Sequence, residues 1–205
     1  MIENIIIRLE ESKDYRETEN MVREAFWDLY KPGCDEHLIV HRLRGSLDFI
    51  RELDFVACDG DKIVGVAICP KAKIKNDQGQ ESAALSMIVG VLPSYQKQGI
   101  GSMLIRKILG EARSLGYKGI VIFGSPEYYP RFGFRNAKDY GIQTSDGQNF
   151  DPFMALELSE GSLKGIQGRF YEAPVFQPVS DSAELESFDK QFPHKEKHVT
   201  DTQLK

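Results

Sequence analysis

Between Val89 and Ser102 the chain reads Val-Gly-Val-Leu-Pro-Ser-Tyr-Gln-Lys-Gln-Gly-Ile-Gly-Ser. Upstream, a run from Ala83 to Val91 places Leu85, Met87, Val89 and Val91 on one face, the alternation of a strand. Downstream, Ile100, Met103, Leu104, Ile108, Ala112 and Leu115 form an apolar stripe at helical spacing. Gly116 stands where a glycine ends a helix. Ile120 to Phe123 is a short apolar run that reads as a buried strand. A strand, a crossover helix and a strand of this length make a parallel pair. The chain is therefore constrained to a sheet with at least one parallel connection and a glycine-rich turn at its junction.

That turn can hold an anion. The start of a helix leaves four backbone N–H groups without partners and carries about half a positive charge. Gly99 and Gly101 keep Cβ atoms away from those groups, so a phosphate or pyrophosphate is the expected ligand. The same glycines also serve a tight connection with no ligand, and a lone Gly-x-Gly does not separate the two. Two other phosphate motifs are excluded. Ser102 and Met103 stand where a P-loop needs Lys and Ser or Thr, and Leu104 stands where a dinucleotide fingerprint needs a third small residue.

Around this unit the pattern predicts strands and helices in turn. Ile5–Leu9 reads as a strand, and Asp14 with Glu17 as a capping box before a helix with Met21, Val22, Ala25, Phe26 and Leu29 on one face. Pro32-Gly33 ends that helix. Leu38, Ile39, Leu43 and Leu47 suggest a second. Phe55–Cys58, a turn at Asp59-Gly60-Asp61 and a return strand from Ile63 to about Ile74 form a hairpin. Phe150–Leu158 and Gly168–Phe176 read as further strands, and Ala183–Phe188 as a short helix. Pro193–Lys205 has almost no apolar content and is expected to be disordered. The order points to an α/β or α+β class with a mixed sheet.

Composition narrows the partners. The 205 residues suit one domain with an appendage, and Lys+Arg 26 against Asp+Glu 31 gives −5. A mildly acidic chain does not point to nucleic acid or an anionic membrane. No apolar run approaches the ~20 residues of a membrane span, and no secretory signal opens the chain, so a cytoplasmic protein is expected. Cys34, Cys58 and Cys69 are too few and too scattered for a disulfide framework. Cys34, His37 and His41 have partial metal spacing but lack a fourth ligand, and a polar helix face is the better reading. No metal is expected. His194 and His198 sit among lysines of the tail.

Gln96-Lys97-Gln98-Gly99-Ile100-Gly101, with Val91-Leu92-Pro93 before it, resembles the signature of the GCN5-related N-acetyltransferases, the GNAT superfamily. Tyr128-Tyr129-Pro130-Arg131-Phe132-Gly133-Phe134 resembles that family's Tyr-x-x-x-Gly-Phe ending, one helix and one strand further on. The hairpin from Val56 to Gly65 is similar to the family's second and third strands. The resemblance runs from about Ile5 to Leu158, and the extra C-terminal segment is similar to the bacterial YhbS-like branch.

The resemblance implies a GNAT fold: a mixed, mostly antiparallel sheet flanked by helices, with a V-shaped opening between Val89–Val91 and the Ile120–Phe123 strand. It implies residues 1–180 as the acetyltransferase domain and 181–205 as a polar tail. Acetyl-CoA is the implied acyl donor, and the acceptor a primary amine of a small molecule or peptide. Val89 and Val91 would pair with the pantetheine arm, the Val89 N–H polarising the thioester carbonyl. Gln96 belongs to the signature; Gln98, Gly99, Ile100, Gly101 and Ser102 would offer N–H groups to the pyrophosphate, and Lys97 would add charge. Tyr129 matches the tyrosine near the thiol and is the expected general acid, with Tyr128 its neighbour and competitor. A phenol stays protonated at neutral pH and can donate. The general base is not identified: Glu81 could face the acceptor and Ser86 could hold a water. A non-catalytic acyl-CoA-binding module and a transferase for longer acyl groups are the alternatives. Val175-Phe176 could pack on the domain or on a second subunit in a homodimer.

Overall fold

Two strands that the sequence presents as continuous are each broken once, and the two breaks lie side by side. The computed structural model describes residues 4–177 and 182–203. In chain order its strands are β1 (Ile5–Leu9), β2 (Asp54–Asp59), β3 (Lys62–Ile68), β4 (Lys71–Lys75), β5 (Glu81–Leu85), β6 (Ile88–Val91), β7 (Gly119–Phe123), β8 (Arg135–Asn136), β9 (Ile142–Gln143), β10 (Phe153–Glu157) and β11 (Gly168–Tyr171). The expected return strand splits into β3 and β4 at Cys69-Pro70. The expected run to Val91 splits into β5 and β6 at Ser86-Met87. The Ser86 N–H donates to the Pro70 carbonyl at 3.1 Å, so the breaks face each other. Proline has no N–H to continue a ladder, which accounts for the interruption at that level.

Each break sends its strand into another sheet. One sheet runs β1-β2-β3-β6 and is antiparallel; the other runs β8-β10-β7-β5-β4-β11-β9. β5 pairs with β7 in parallel at Leu85↔Ile120. Beyond that point β6 stays with β3 and β7 stays with β10, so β6 and β7 part and leave a V-shaped opening. This is the GNAT fold that the sequence led us to expect.

Among the described residues the α-helices are α1 (Tyr15–Phe26), α2 (Glu36–Leu43) and α3 (Ile100–Ser114), which flank the sheets, and α4 (Ser182–Asp189), which packs outside α1 and α2. α1 and α2 bury Met21, Val22, Ile39, Val40 and Leu43 against Val56, Val66, Ile68 and Ile88. α3 buries Ile100, Leu104, Ile105, Ile108, Leu109 and Ala112 against Val64, Ala67 and Ile120. Each valine, leucine, isoleucine and methionine among them contributes about 1.5–3 kcal/mol through area removed from water. The buried stripe is rotated from the expected one. Met103 and Leu115 remain 43% and 44% exposed, and Ile105 and Leu109 take the inward positions. At the helix end, Gly116 N–H bonds to Arg113 O and Tyr117 N–H to Ala112 O, the paired bonds of a Schellman stop.

The entry to α1 also differs from expectation. The Asp14 carboxylate accepts the Glu11 N–H at 2.9 Å and pairs with Arg8, while Glu17 accepts the Ile63 N–H of β3 at 2.8 Å. The expected Asp14–Glu17 box gives way to these contacts because both acids have partners on the adjoining sheet. α2 stops at Leu43, and Leu47 is 93% exposed.

The C-terminal segment returns to α1 and α2. Phe188 and Phe192 pack with Leu38, and Arg23, almost wholly buried, donates to Asp189 at 2.7 Å. Further along, Trp27 Nε1 donates to the Glu196 carbonyl and Thr200 Oγ1 to that of Asp28. The domain boundary expected at 180/181 lies outside the described residues. Val175 and Phe176 pack on the chain's own α1–α2 cluster. Among the described residues no helix is long and apolar enough to cross a membrane.

Candidate active site

β6 forms one wall of the opening, and its hydrogen bonds fix which peptide groups face it. The Leu92 N–H donates to the Val64 carbonyl at 2.9 Å. Antiparallel pairing alternates, so with the register Gly65↔Val91 and Ala67↔Val89 the peptide groups of Val91 and Val89 point away from β3, toward β7. The Gln96 amide donates to the Val91 carbonyl at 3.1 Å, so this signature residue braces the mouth of the opening.

The chain leaves β6 through a 3-10 turn, Pro93–Tyr95. Lys97 and Gly99 then take φ of +60° and +92°. Glycine adopts that region freely, and at Gly99 it swings the backbone into α3. No side chain caps the helix, and the first amide with a partner is Met103, which donates to Gly99 O at 3.0 Å. Among the described residues the N–H groups from Gln98 to Ser102 have no protein acceptor. The Gln98 side chain turns back to the Ser94 carbonyl, and Lys97 is exposed. The expected phosphate-facing residues are thus brought together at one helix start, beside Val89 and Val91.

β7 supplies the other wall and leads into the two tyrosines. The Tyr128 hydroxyl lies 3.1 Å from Ser102 Oγ, and 3.3 Å from where a Cβ on Gly101 would stand. Tyr129 lies deeper. Its ring rests on Gly124, where a Cβ would come within 2.5 Å, so only glycine leaves room for it. The ring meets Tyr128 and Phe134 edge-on at 5.4 Å each. Burial raises the Tyr129 phenol well above its usual range, and its hydroxyl has no hydrogen bond among the described residues.

The other sequence candidates are dispersed. Glu81 opens β5 at the end remote from the opening, is exposed, and bonds to Lys73 at 2.8 Å, which lowers its pKa. Ser86 sits buried at the branch point, its Oγ without a partner among the described residues. The three cysteines are buried free thiols, and burial pushes those of Cys34 and Cys69 far up. His37 is enclosed by Phe188 and Phe192 rather than set on a polar face, while His41 bonds to Glu19. Among the described residues no group of three or more His, Cys, Asp or Glu side chains could hold a metal.

Sequence reasoning passed over Glu172. It lies just past β11 and, with Phe123 and Phe176, lines a cavity of about 230 Å³. No motif marks it, because its neighbours come from four separate stretches of chain.

Comparison with known proteins agrees with this geometry. The acetyltransferase (GNAT) domain family matches residues 52–136. The uncharacterized N-acetyltransferase YhbS of Escherichia coli (strain K12) is 27% identical over 167 residues, 80% of this chain and 93% of that protein. The crystal structure of Escherichia coli YhbS in complex with CoA superposes with a TM-score of 0.76 at 24% identity, covering 85% of this chain and 93% of that one. A GNAT family acetyltransferase from Brucella melitensis, in complex with acetyl-CoA, gives a TM-score of 0.69 at 27% identity, covering 84% and 98%.

Proposed function

We propose, for a chain that carries a GNAT acetyltransferase domain, that it transfers an acetyl group from acetyl-CoA directly to a primary amine of a small molecule or peptide. We take residues 1–180 as the catalytic domain and 181–205 as its appendage. The observation that carries the reading is free backbone at two neighbouring places. The Val89 peptide and the Val91 N–H face the opening, the Val91 carbonyl being held by Gln96, and beyond the Pro93–Tyr95 turn the N–H groups from Gln98 to Ser102 are uncapped.

The residues present suit coenzyme A. An extended chain with two amides fits an unpaired strand edge, and a diphosphate fits a helix start with no Cβ above it. When bound, acetyl-CoA supplies an acyl carbon activated as a thioester. The Val89 N–H is aimed to take up negative charge on the carbonyl oxygen, as an oxyanion donor does. Gln98 to Ser102 hold the diphosphate, Gln96 orders the mouth, and Lys97 adds an exposed positive charge. Tyr129, kept protonated by burial, gives a hydrogen bond and a proton to the departing sulfur.

The test is calorimetric titration with acetyl-CoA, followed by a thiol-release screen against polyamines, amino acids, aminoglycosides and peptides. Saturable binding with thiol release dependent on one amine class is expected. Absence of binding would remove the reading, and binding without turnover would leave an acyl-CoA-binding module.

A further inference from the structure

Building on the N-acetyltransferase reading, we infer that Glu172 is the base that takes the proton from the acceptor amine, and that its cavity receives a primary amine on an apolar or aromatic body.

The cavity lies where strands end. β7 runs parallel to β5 and β11 parallel to β9. β11 and β5 are each antiparallel to β4, so all four run the same way. Phe123 is the last residue of β7, Thr144 and Ser145 follow β9, and Glu172 follows β11; all line the cavity. The cavity therefore lies at the end of the second sheet where these like-directed strands finish. One arm of the V, β7, reaches it through Phe123. Phe123 comes from β7 and precedes Gly124, on which the Tyr129 ring rests. Phe176 packs into the cluster holding Ile88, the first residue of β6.

Within this setting the carboxylate is isolated. Among the described residues it has no hydrogen bond or ion pair. The groups facing it from the neighbouring elements are the neutral Thr144, Ser145 and Gln177, the phenol of Tyr171, and aromatic rings. Among the described residues no cation lines the cavity to compensate it. Glu172 is half-buried and its carboxylate carries a charge that no neighbour in the cavity offsets, so an ammonium is its natural complement. Burial pushes its pKa up to about 7, where a carboxylate can both accept and release a proton near neutrality. The aromatic walls suit the body of the amine. Glu172 lies beyond the matched domain, residues 52–136, so this acceptor site draws on a segment outside it.

The step balances as follows. The ammonium gives one proton to Glu172, and the freed nitrogen lone pair forms the bond to the acyl carbon. The carbon–sulfur bond breaks and Tyr129 gives its proton to sulfur. The second nitrogen proton returns to Tyr129 as the amide forms. An ammonium and a thioester become an amide, a thiol and one proton, which Glu172 passes to solvent.

The test uses the full chain with acetyl-CoA and 2-phenylethylamine as probe, thiol release being followed from pH 5.5 to 9. Glu172→Gln is expected to bind acetyl-CoA within about twofold of the parent and to lose roughly 10²–10⁴-fold in kcat/KM for the amine. The acid limb of the parent's profile should vanish in this variant and persist in Glu172→Asp. Turnover of Glu172→Gln within threefold of the parent, or an unchanged acid limb, would overturn the assignment. Acetylation of spermidine but not of 2-phenylethylamine would overturn the apolar acceptor. A parent that fails to bind acetyl-CoA, or releases thiol with no amine, instead removes the N-acetyltransferase reading and the base with it.

Discussion

The Tyr128 hydroxyl lies 3.1 Å from Ser102 Oγ and pins the turn after β7 to the first turn of α3. Tyr129, its neighbour, has no such tie among the described residues. On the proposed reading the adjacent phenols serve two purposes, and single-atom changes separate them. Tyr128→Phe is expected to cost about 1 kcal/mol of stability and to weaken acetyl-CoA binding slightly. Tyr129→Phe should leave binding within twofold and lower kcat by about 10²-fold or more. Equal kcat in the two variants would remove the acid role from Tyr129.

Gly101 distinguishes space from charge at the helix start. A Cβ there meets only the Tyr128 hydroxyl at 3.3 Å and a Val91 methyl at 3.7 Å. Gly101→Ala should therefore fold with stability within about 1 kcal/mol of the parent, since alanine also favours the helix. Gly101→Glu places bulk and negative charge where a diphosphate would lie. Calorimetry should detect no acetyl-CoA binding, and retained affinity would displace the ligand from this end of α3.

A third expectation concerns alkaline pH. Asp54 is buried, and its pKa is pushed up to about 9, first by burial, then by the hydrogen bond and charge of Glu10. Glu10 itself pairs with Arg44 at 2.7 Å, so the extra proton resides on Asp54. The folded state binds a proton that the unfolded state has already lost above about pH 4, so stability falls as pH rises toward 9. Asp54→Asn mimics the protonated acid. Its melting temperature should exceed the parent's by a margin that grows from pH 5 to pH 9; a constant margin would place the shared proton elsewhere.

His37 acts in the opposite direction. Burial lowers its pKa to about 4, with Arg23 adding to the effect and Asp189, 3.3 Å away, opposing it. The ring is neutral in the fold but takes a proton on unfolding below about pH 6.5, so stability is lost as pH falls from there toward 4. Urea midpoints at pH 7 and pH 5 should differ more for the parent than for His37→Gln. An equal difference would show that other groups govern the acid limb.

These expectations mark what was legible in the residues. α3, its glycine stop and the hairpin around Gly60 follow from periodicity and turn chemistry, both of which are local. The stripe on α3 was misplaced at Met103 and Leu115 because the sheets flank the helix on the Ile105 and Leu109 side, which spacing alone does not reveal. The sheet breaks were hidden for a similar reason: Pro70 interrupts its own strand, but the interruption at Ser86 arises from Pro70 lying opposite. The glycine-rich start of α3 was readable as a place for an anion because the needed groups are consecutive. Glu172 was not, since its setting joins residues 123, 144 and 172.

The contact between Arg23 and Asp189 spans 166 residues. At roughly 5–20 residues per second on a ribosome, about ten to thirty seconds separate the synthesis of the two. Throughout that interval the guanidinium has its near neighbours Glu24 and Trp27 but not Asp189, and the apolar surface at Leu38 lacks Phe188 and Phe192. The first helix made is thus among the last to be sealed, and the newborn chain is most vulnerable to aggregation and proteases along its earliest segment.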